Sequence, residues 1–500
     1  MSGADVRSRG NAIRAERRLT RDTVIYGLGG SGTQLVYVLF LPIFTRIFRP
    51  ADFGVLDFLV AVNGLLGVAA LIGLNSALFY FVNQTDDPER RRSLAGTALA
   101  LSTLAGFAIA IVGVVGSGAL SQVLLTRPDE GAAVAMACLW VPANVAATFG
   151  LDLLRLELRP VAYSVLAIGR SAIASALGLV AAGPLGLGVA GLLGAHAVTT
   201  AIFAAISLWA ARRSWRATID PTSLRLMVPF GLPLVTFGIA LWVIAYSDRF
   251  FVIQLLGTAA AGIYSLASRG AGIVTLVIAS FEAAWLPFAM AHAREPGHRE
   301  AYARVFATVG VGLVGLATFL SLFAREALIV ATTPDYVPAY AYVGLLGLGA
   351  AAYGIGQVVA VGIQLGRQTA HLLRISAIAA IANVVLTVLL IPSIGIGGAA
   401  LATAVAYALS TTFIYFAAQR AYPVPYPLRM VMAGTAGALL AMGAGLFLDA
   451  MVPGAAWAPA TTAAKIAIFV VAMAWLWLLH RRDTAVGELR QVGAAGRAPG

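Results

Sequence analysis

The chain has 500 residues, of which 60% are hydrophobic and 11% charged, with a mean hydropathy of +0.87. A soluble globule carries roughly 25% charged residues and could not hide this much apolar side chain beneath a polar skin, while a disordered chain is poor in apolar residues and rich in charge. The 34 basic residues outnumber the 22 acidic ones by 12, but they are scattered over short segments and form no patch of the kind nucleic acid requires; what remains is a multi-spanning membrane protein.

The first 22 residues are polar and arginine-rich, and the apolar run behind them is as long as a full span, so no cleavable signal peptide is expected. A helix crossing a hydrocarbon core of about 30 Å needs roughly 20 apolar residues. In chain order the pattern predicts fourteen such helices, at 24–47, 54–82, 94–119, 131–151, 161–182, 185–210, 226–246, 259–290, 300–323, 339–364, 372–392, 396–419, 428–449 and 456–479. The runs 54–82 and 259–290 are long enough to be tilted or bent.

The cations test this map independently. With the N-terminus placed in the cytoplasm, 26 of the 34 basic residues fall on the cytoplasmic side, five outside and three within spans. That asymmetry follows the positive-inside rule for short loops, and a wrong span count would have scrambled the alternation. Both termini are therefore expected in the cytoplasm. The organisation reads as a tail 1–23, a six-helix lobe 24–210, a second six-helix lobe 226–419, two further helices within 428–479 and a tail 480–500. Two pairs of short matches support related halves. Phe53-Gly54-Val55-Leu56 resembles Ala261-Gly262-Ile263-Tyr264, and Gly186, Gly188 and Leu192 match Gly395, Gly397 and Leu401. Six spans per half is an even number, so the repeats would be parallel, related about the membrane normal.

Several patterns carry no chemistry. Gly27-Leu28-Gly29-Gly30-Ser31-Gly32 formally matches a dinucleotide fingerprint, but no strand precedes it; small residues permit close helix packing. The single cysteine, Cys138, allows no intramolecular disulfide. The five histidines (His196, His292, His298, His371, His480) lack ligand spacing. No cofactor, metal site or nucleic-acid partner is expected.

Other segments are familiar in their order. Leu41-Pro42-Ile43-Phe44-Thr45-Arg46-Ile47-Phe48-Arg49-Pro50-Ala51-Asp52-Phe53-Gly54 resembles the opening of polysaccharide-exporting oligosaccharide flippases, members of the multidrug/oligosaccharidyl-lipid/polysaccharide exporter superfamily. Ser247-Asp248-Arg249-Phe250 through Gly257, then Gly262-Ile263-Tyr264-Ser265, resembles the junction of that family's seventh and eighth helices. Ala284-Trp285-Leu286-Pro287-Phe288 and Pro334-Asp335-Tyr336-Val337-Pro338-Ala339 continue the likeness. The resemblance implies an all-α flippase of the bacterial cytoplasmic membrane. It would move a polyprenyl-phosphate-linked glycan to the outer leaflet by alternating access and use no enzymatic step. Implied partners are that lipid-linked glycan, membrane lipids, and the glycan polymerase and glycosyltransferases of the same pathway.

Charged side chains within spans are expensive and mark function by default. Arg269 lies about mid-span, with Gly262, Ser265 and Gly272 at helical spacing, whereas Ile263, Ile273, Val274, Val277 and Ile278 offer a lipid-compatible face. Arg170 is similarly deep, and Lys465 sits in the last span. The substrate-cavity candidates are thus Arg269 and Arg170 for phosphate, with Gln34, Asn63, Asn144, Gln357 and Asn383 for sugar. Asp57, Glu282, Asp248 and Arg249 are the coupling or gating candidates. For each cation the structural alternative is a contact to carbonyls or a carboxylate on another helix; for the amides it is interhelical hydrogen bonding. Pro42, Pro142, Pro229, Pro233 and Pro287 mark bends.

Two other functions compete. A multidrug/cation antiporter of the same superfamily would carry an acid in its first helix, but none precedes Asp52 in this one. A membrane enzyme would display polar machinery in a large outer loop. The longest, about 324–338, offers only Arg325, Glu326, Asp335 and Tyr336.

Overall fold

The computed structural model describes residues 25–366, 370–452 and 457–495, apart from 26, 28 and 31. The N-terminal tail 1–23 and the last five residues, both assigned above to the cytoplasm, lie outside the described residues, as does Arg367, one of the cations counted on that side. Among those described, every regular element is a helix. Thirteen helices are long and apolar enough to cross a bilayer, and α1 (Gly32–Ile47) is a shorter apolar helix at the place of the first span. The all-α polytopic reading therefore stands.

The chain divides into two compact units between Trp242 and Val243. The first holds α1, α2 (Pro50–Leu71), α3 (Leu74–Val82), α4 (Pro88–Val115), α5 (Ser117–Leu125), α6 (Gly131–Leu156), α7 (Pro160–Ala182) and α8 (Gly188–Ala210). The division falls inside α9 (Pro221–Leu256). The second unit continues with α10 (Thr258–His292), α11 (His298–Ala331), α12 (Tyr340–Leu365), α13 (Ala370–Ile394), α14 (Ile396–Ala421), α15 (Leu428–Ala450) and α16 (Pro459–Ala495). Short 3-10 turns precede α6 and α12.

Local chemistry sets the helix starts. Pro50, Pro88 and Pro160 occupy first turns, where the missing N–H would have had no intrahelical partner. Asp87 caps α4 by accepting from the Glu89 N–H at 3.0 Å. Pro142, Pro229, Pro233 and Pro287 lie inside helices, as the sequence implies.

Three expectations change. The apolar run 54–82 is two helices, broken where Ile72 (φ 52) and Gly73 (φ 66) adopt left-handed conformations. The break has a steric partner in its own unit: a Cβ on Gly73 would lie 2.2 Å from the Gly231 carbonyl oxygen, in the Pro229–Pro233 stretch of α9. Arg325 and Glu326, assigned to an outer loop, are helical, because α11 continues to Ala331. Val274 and Ile278, assigned to lipid, are fully buried against Leu313, Ala350 and Ala351; only Ile273 and Val277 of that face are exposed.

Inside lipid no hydrophobic drive brings apolar helices together, so close packing of small residues and hydrogen bonds must do so. In the first unit the most extensive helix pair is α6 with α8, and in the second α12 with α14. These are the fourth and sixth predicted spans of each half. Their seams are alike. Gly150 of α6 faces Ser207 of α8, and Gly356 of α12 faces Thr411 of α14; an added Cβ would come within 2.1 Å and 2.6 Å of the respective hydroxyl oxygens. The matched Gly186 and Gly395, ahead of α8 and α14, also share positive φ (67 and 60).

Candidate functional site

In the first unit three candidate residues form one chain across α2, α6 and α7. Asn63, 2% exposed, donates from Nδ2 to the Ala137 carbonyl at 2.9 Å. Asn144 Nδ2 donates to Asn63 Oδ1 at 3.3 Å, and Arg170 Nη1 donates to Asn144 Oδ1 at 3.5 Å. The two amides thereby serve orientation, each fixed by its neighbour and finally by backbone. Among the described residues the guanidinium of Arg170 has this one hydrogen bond and no carboxylate within ion-pair distance. Of the remaining candidates here, Asp57 is buried in α2 and Gln34 is exposed on α1.

In the second unit a larger network is built around Asp248, 3% exposed. Its Oδ1 accepts from the Arg249 backbone N–H at 2.8 Å and from Arg249 Nη1 at 3.2 Å. The Tyr264 hydroxyl of α10 donates to Oδ2. Thr403 Oγ1 of α14 donates to the same oxygen at 3.4 Å and accepts from Asn383 Nδ2 of α13 at 3.3 Å. The Arg249 guanidinium lies over the Tyr246 ring at 5.0 Å and donates to the Ala245 carbonyl at 3.0 Å. Groups from α9, α10 and α14 therefore meet at one carboxylate, with α13 joined to them through Thr403, and sequence reasoning named three of the network's side chains: Asp248, Arg249 and Asn383. Tyr264 and Thr403 were missed. Tyr264 lay inside a quoted motif without a role, and nothing marked Thr403 among the threonines of apolar helices.

Glu282 and Gln357 both lie near Tyr353 of α12, and Glu282 Oε1 makes no hydrogen bond among the described residues. Arg269 is half-buried on α10, while Gly262 and Ser265, the small neighbours one to two turns before it, are buried. Lys465, the chain's single lysine, is fully buried and paired with Glu326 and Asp449. An apolar cavity of about 410 Å³ lies in the same unit, lined by Leu348, Ile355, Val359, Tyr415, Met432 and Leu439 among others.

Residues 43–341 match the family described as polysaccharide biosynthesis protein. The chain belongs to that family. The fold is similar to that of the lipid II flippase MurJ in its inward closed conformation, with 14% identity, a TM-score of 0.70, and coverage of 92% of this chain and 100% of that one. It is similar also to an inward-facing multidrug resistance MATE family transporter of the MOP superfamily, with 17% identity, a TM-score of 0.61, and coverage of 77% and 94%. A third match is the Vibrio cholerae MATE transporter VcmN in the bent form, at 15% identity, TM-score 0.52, and 81% and 96% coverage. No curated protein sequence matches. Family and fold together describe a multi-pass membrane protein of a polysaccharide biosynthesis family, folded like the MurJ and MATE structures.

Proposed function

We propose that the protein flips a polyprenyl-phosphate-linked glycan repeat unit from the cytoplasmic to the outer leaflet of a bacterial cytoplasmic membrane, by alternating access, for cell-surface polysaccharide synthesis. The observation that carries this reading is Arg170, an intramembrane guanidinium oriented by an amide chain and compensated by no carboxylate among the described residues. Such a cation is costly in hydrocarbon unless an anion arrives to meet it. A lipid-linked glycan brings one, because its phosphate and sugar hydroxyls lose their water on crossing while its tail need not leave the bilayer. Arg269 is the corresponding phosphate contact of the second unit, with Gln34, Gln357 and the Asn side chains toward the sugar. Asp57, Glu282, Asp248 and Arg249 serve coupling or gating. The apolar cavity beside α15 supports a path for the tail. Both termini lie in the cytoplasm, and pathway glycosyltransferases and the glycan polymerase supply and consume the substrate. No bond of the substrate is made or broken, so no catalytic residue is assigned.

Deleting the gene should deplete surface polysaccharide and accumulate the lipid-linked repeat unit in the inner leaflet. Arg170→Ala, expressed at wild-type level, should restore less than a tenth of export. An unchanged lipid-linked pool in the deletion strain would overturn the reading. The MATE-like fold keeps a multidrug/cation antiporter as the second reading, though α1 holds no acid for it. A deletion phenotype confined to drug susceptibility would favour that alternative.

A further inference from the structure

Four charged side chains meet where α11, α15 and α16 come together. Lys465 Nζ lies 2.8 and 3.0 Å from the two carboxylate oxygens of Glu326 and 2.6 Å from Asp449 Oδ1. Arg325 Nη1 lies 3.7 Å from the same Asp449 oxygen, and its Nη2 donates at 3.3 Å to the carbonyl of Val452, just beyond α15. Thr462 Oγ1 donates to Glu326 Oε1 at 3.3 Å. Lys465, Arg325 and Asp449 are all within 2% of full burial. Among the described residues the cluster brings together two cations, Lys465 and Arg325, and two anions, Glu326 and Asp449, whose formal charges balance.

We propose that this cluster is a latch that selects α11 as the docking partner of the α15–α16 hairpin and holds the hairpin in place against lateral release into lipid. The apolar faces make that choice only in part, through Ala438, Met442 and Leu476 of the hairpin packed with Val314 and Ala317 of α11. Leu439, Leu440, Phe447, Val470, Val471 and Trp477 of the hairpin are exposed and as compatible with lipid as with protein, and apolar contact alone does not distinguish the two. On its other side α15 borders the apolar cavity, through Leu428, Val431, Met432, Thr435, Ala436 and Leu439, so that side adds little closure. A charge-balanced cluster differs from apolar packing in one testable respect. Removing one charge leaves an uncompensated ion in a buried site, whereas removing a matched pair does not.

A proximity measurement tests this without any substrate. Gly445 of α15 and Leu322 of α11 face each other below the cluster, where a Cβ on Gly445 would lie 4.0 Å from the Leu322 Cα. That is compatible with disulfide geometry. In a Cys138→Ala background, Leu322→Cys with Gly445→Cys should cross-link nearly completely under mild oxidation in native membranes. Adding Lys465→Met should cut the yield at least fivefold, and adding Glu326→Gln to that should bring it back. Export should follow the same order, and pre-forming the disulfide should restore export to the Lys465→Met protein. Equal cross-linking with and without Lys465→Met would overturn the latch. So would a matched neutral pair no better than the single substitution. If the single variant fails to accumulate, the comparison rests on the matched pair against Glu326→Gln alone, which should cross-link poorly.

Discussion

The Tyr264 hydroxyl donates to the carboxylate of Asp248, tying α10 to the end of α9 at a point where neither side chain reaches water. Removing the hydroxyl leaves that oxygen with Thr403, at 3.4 Å. Tyr264→Phe should therefore lower stability by about 1.5–3 kcal/mol, the worth of a hydrogen bond to a charged group. Asp248→Asn should also destabilise, because it withdraws a carboxylate that is hydrogen-bonded to the buried Arg249 guanidinium. Thermal unfolding of the purified protein in detergent reads both. A Tyr264→Phe protein as stable as wild type would show that the contact is incidental.

Gly73 and Gly186 form a matched pair for separating backbone strain from steric exclusion. Their φ values are 66 and 67, yet a Cβ on Gly186 meets nothing within 4 Å, whereas one on Gly73 would strike the Gly231 carbonyl at 2.2 Å. Gly186→Ala should cost about 1–2 kcal/mol, the penalty for an alanine in the left-handed region. Gly73→Ala should cost clearly more, because α9 must also move away from the α2–α3 break. Equal losses in thermal stability would mean that this contact yields without cost.

The spans were legible because length and apolarity are properties of segments. The polar clusters were not, because they depend on helix rotation and on partners far apart in the chain. Lys465 was recognisable as an embedded cation, but Glu326 lies 139 residues before it. Asp449, at the end of α15, carries no local pattern that sets it apart from an ordinary helix-end acid. Periodicity gives little help here: Val274 and Ile278 face protein while Ile273 and Val277 are exposed, and lipid accepts all four. The α2–α3 break was hidden for a similar reason. Gly73 is one of 53 glycines, and only its meeting with Gly231 sets it apart.

Orientation can be checked with single cysteines at exposed positions in the Cys138→Ala background. Asp86 and Glu295 are exposed on connections that the arginine distribution assigns to the cytoplasm, while Asp129, on the turn before α6, and Ser393, in the last turn of α13, are exposed at positions assigned to the outside. Asp86→Cys and Glu295→Cys should react with an impermeant maleimide only after the membrane is opened. Asp129→Cys and Ser393→Cys should react in intact cells. One reversed position in the second half would require a different number of crossings.

Arg269 offers the sharpest test of head-group recognition in the second unit. It lies deep within α10 and is half-buried. A guanidinium grips phosphate through a planar fork of donors, and an ammonium cannot reproduce that geometry while keeping the same charge. Arg269→Ala should lower polysaccharide export at least tenfold, equivalent to about 1.4 kcal/mol or more in binding, at an unchanged level of folded protein in the membrane. Arg269→Lys should recover only part of the loss. If charge alone mattered, the lysine variant would export like wild type, and fork geometry would have no part in recognition. If Arg269 were purely a packing residue, both variants would instead reduce the amount of folded protein and leave export per molecule intact. Measuring export against the quantity of monodisperse protein extracted from the same cells separates the three outcomes.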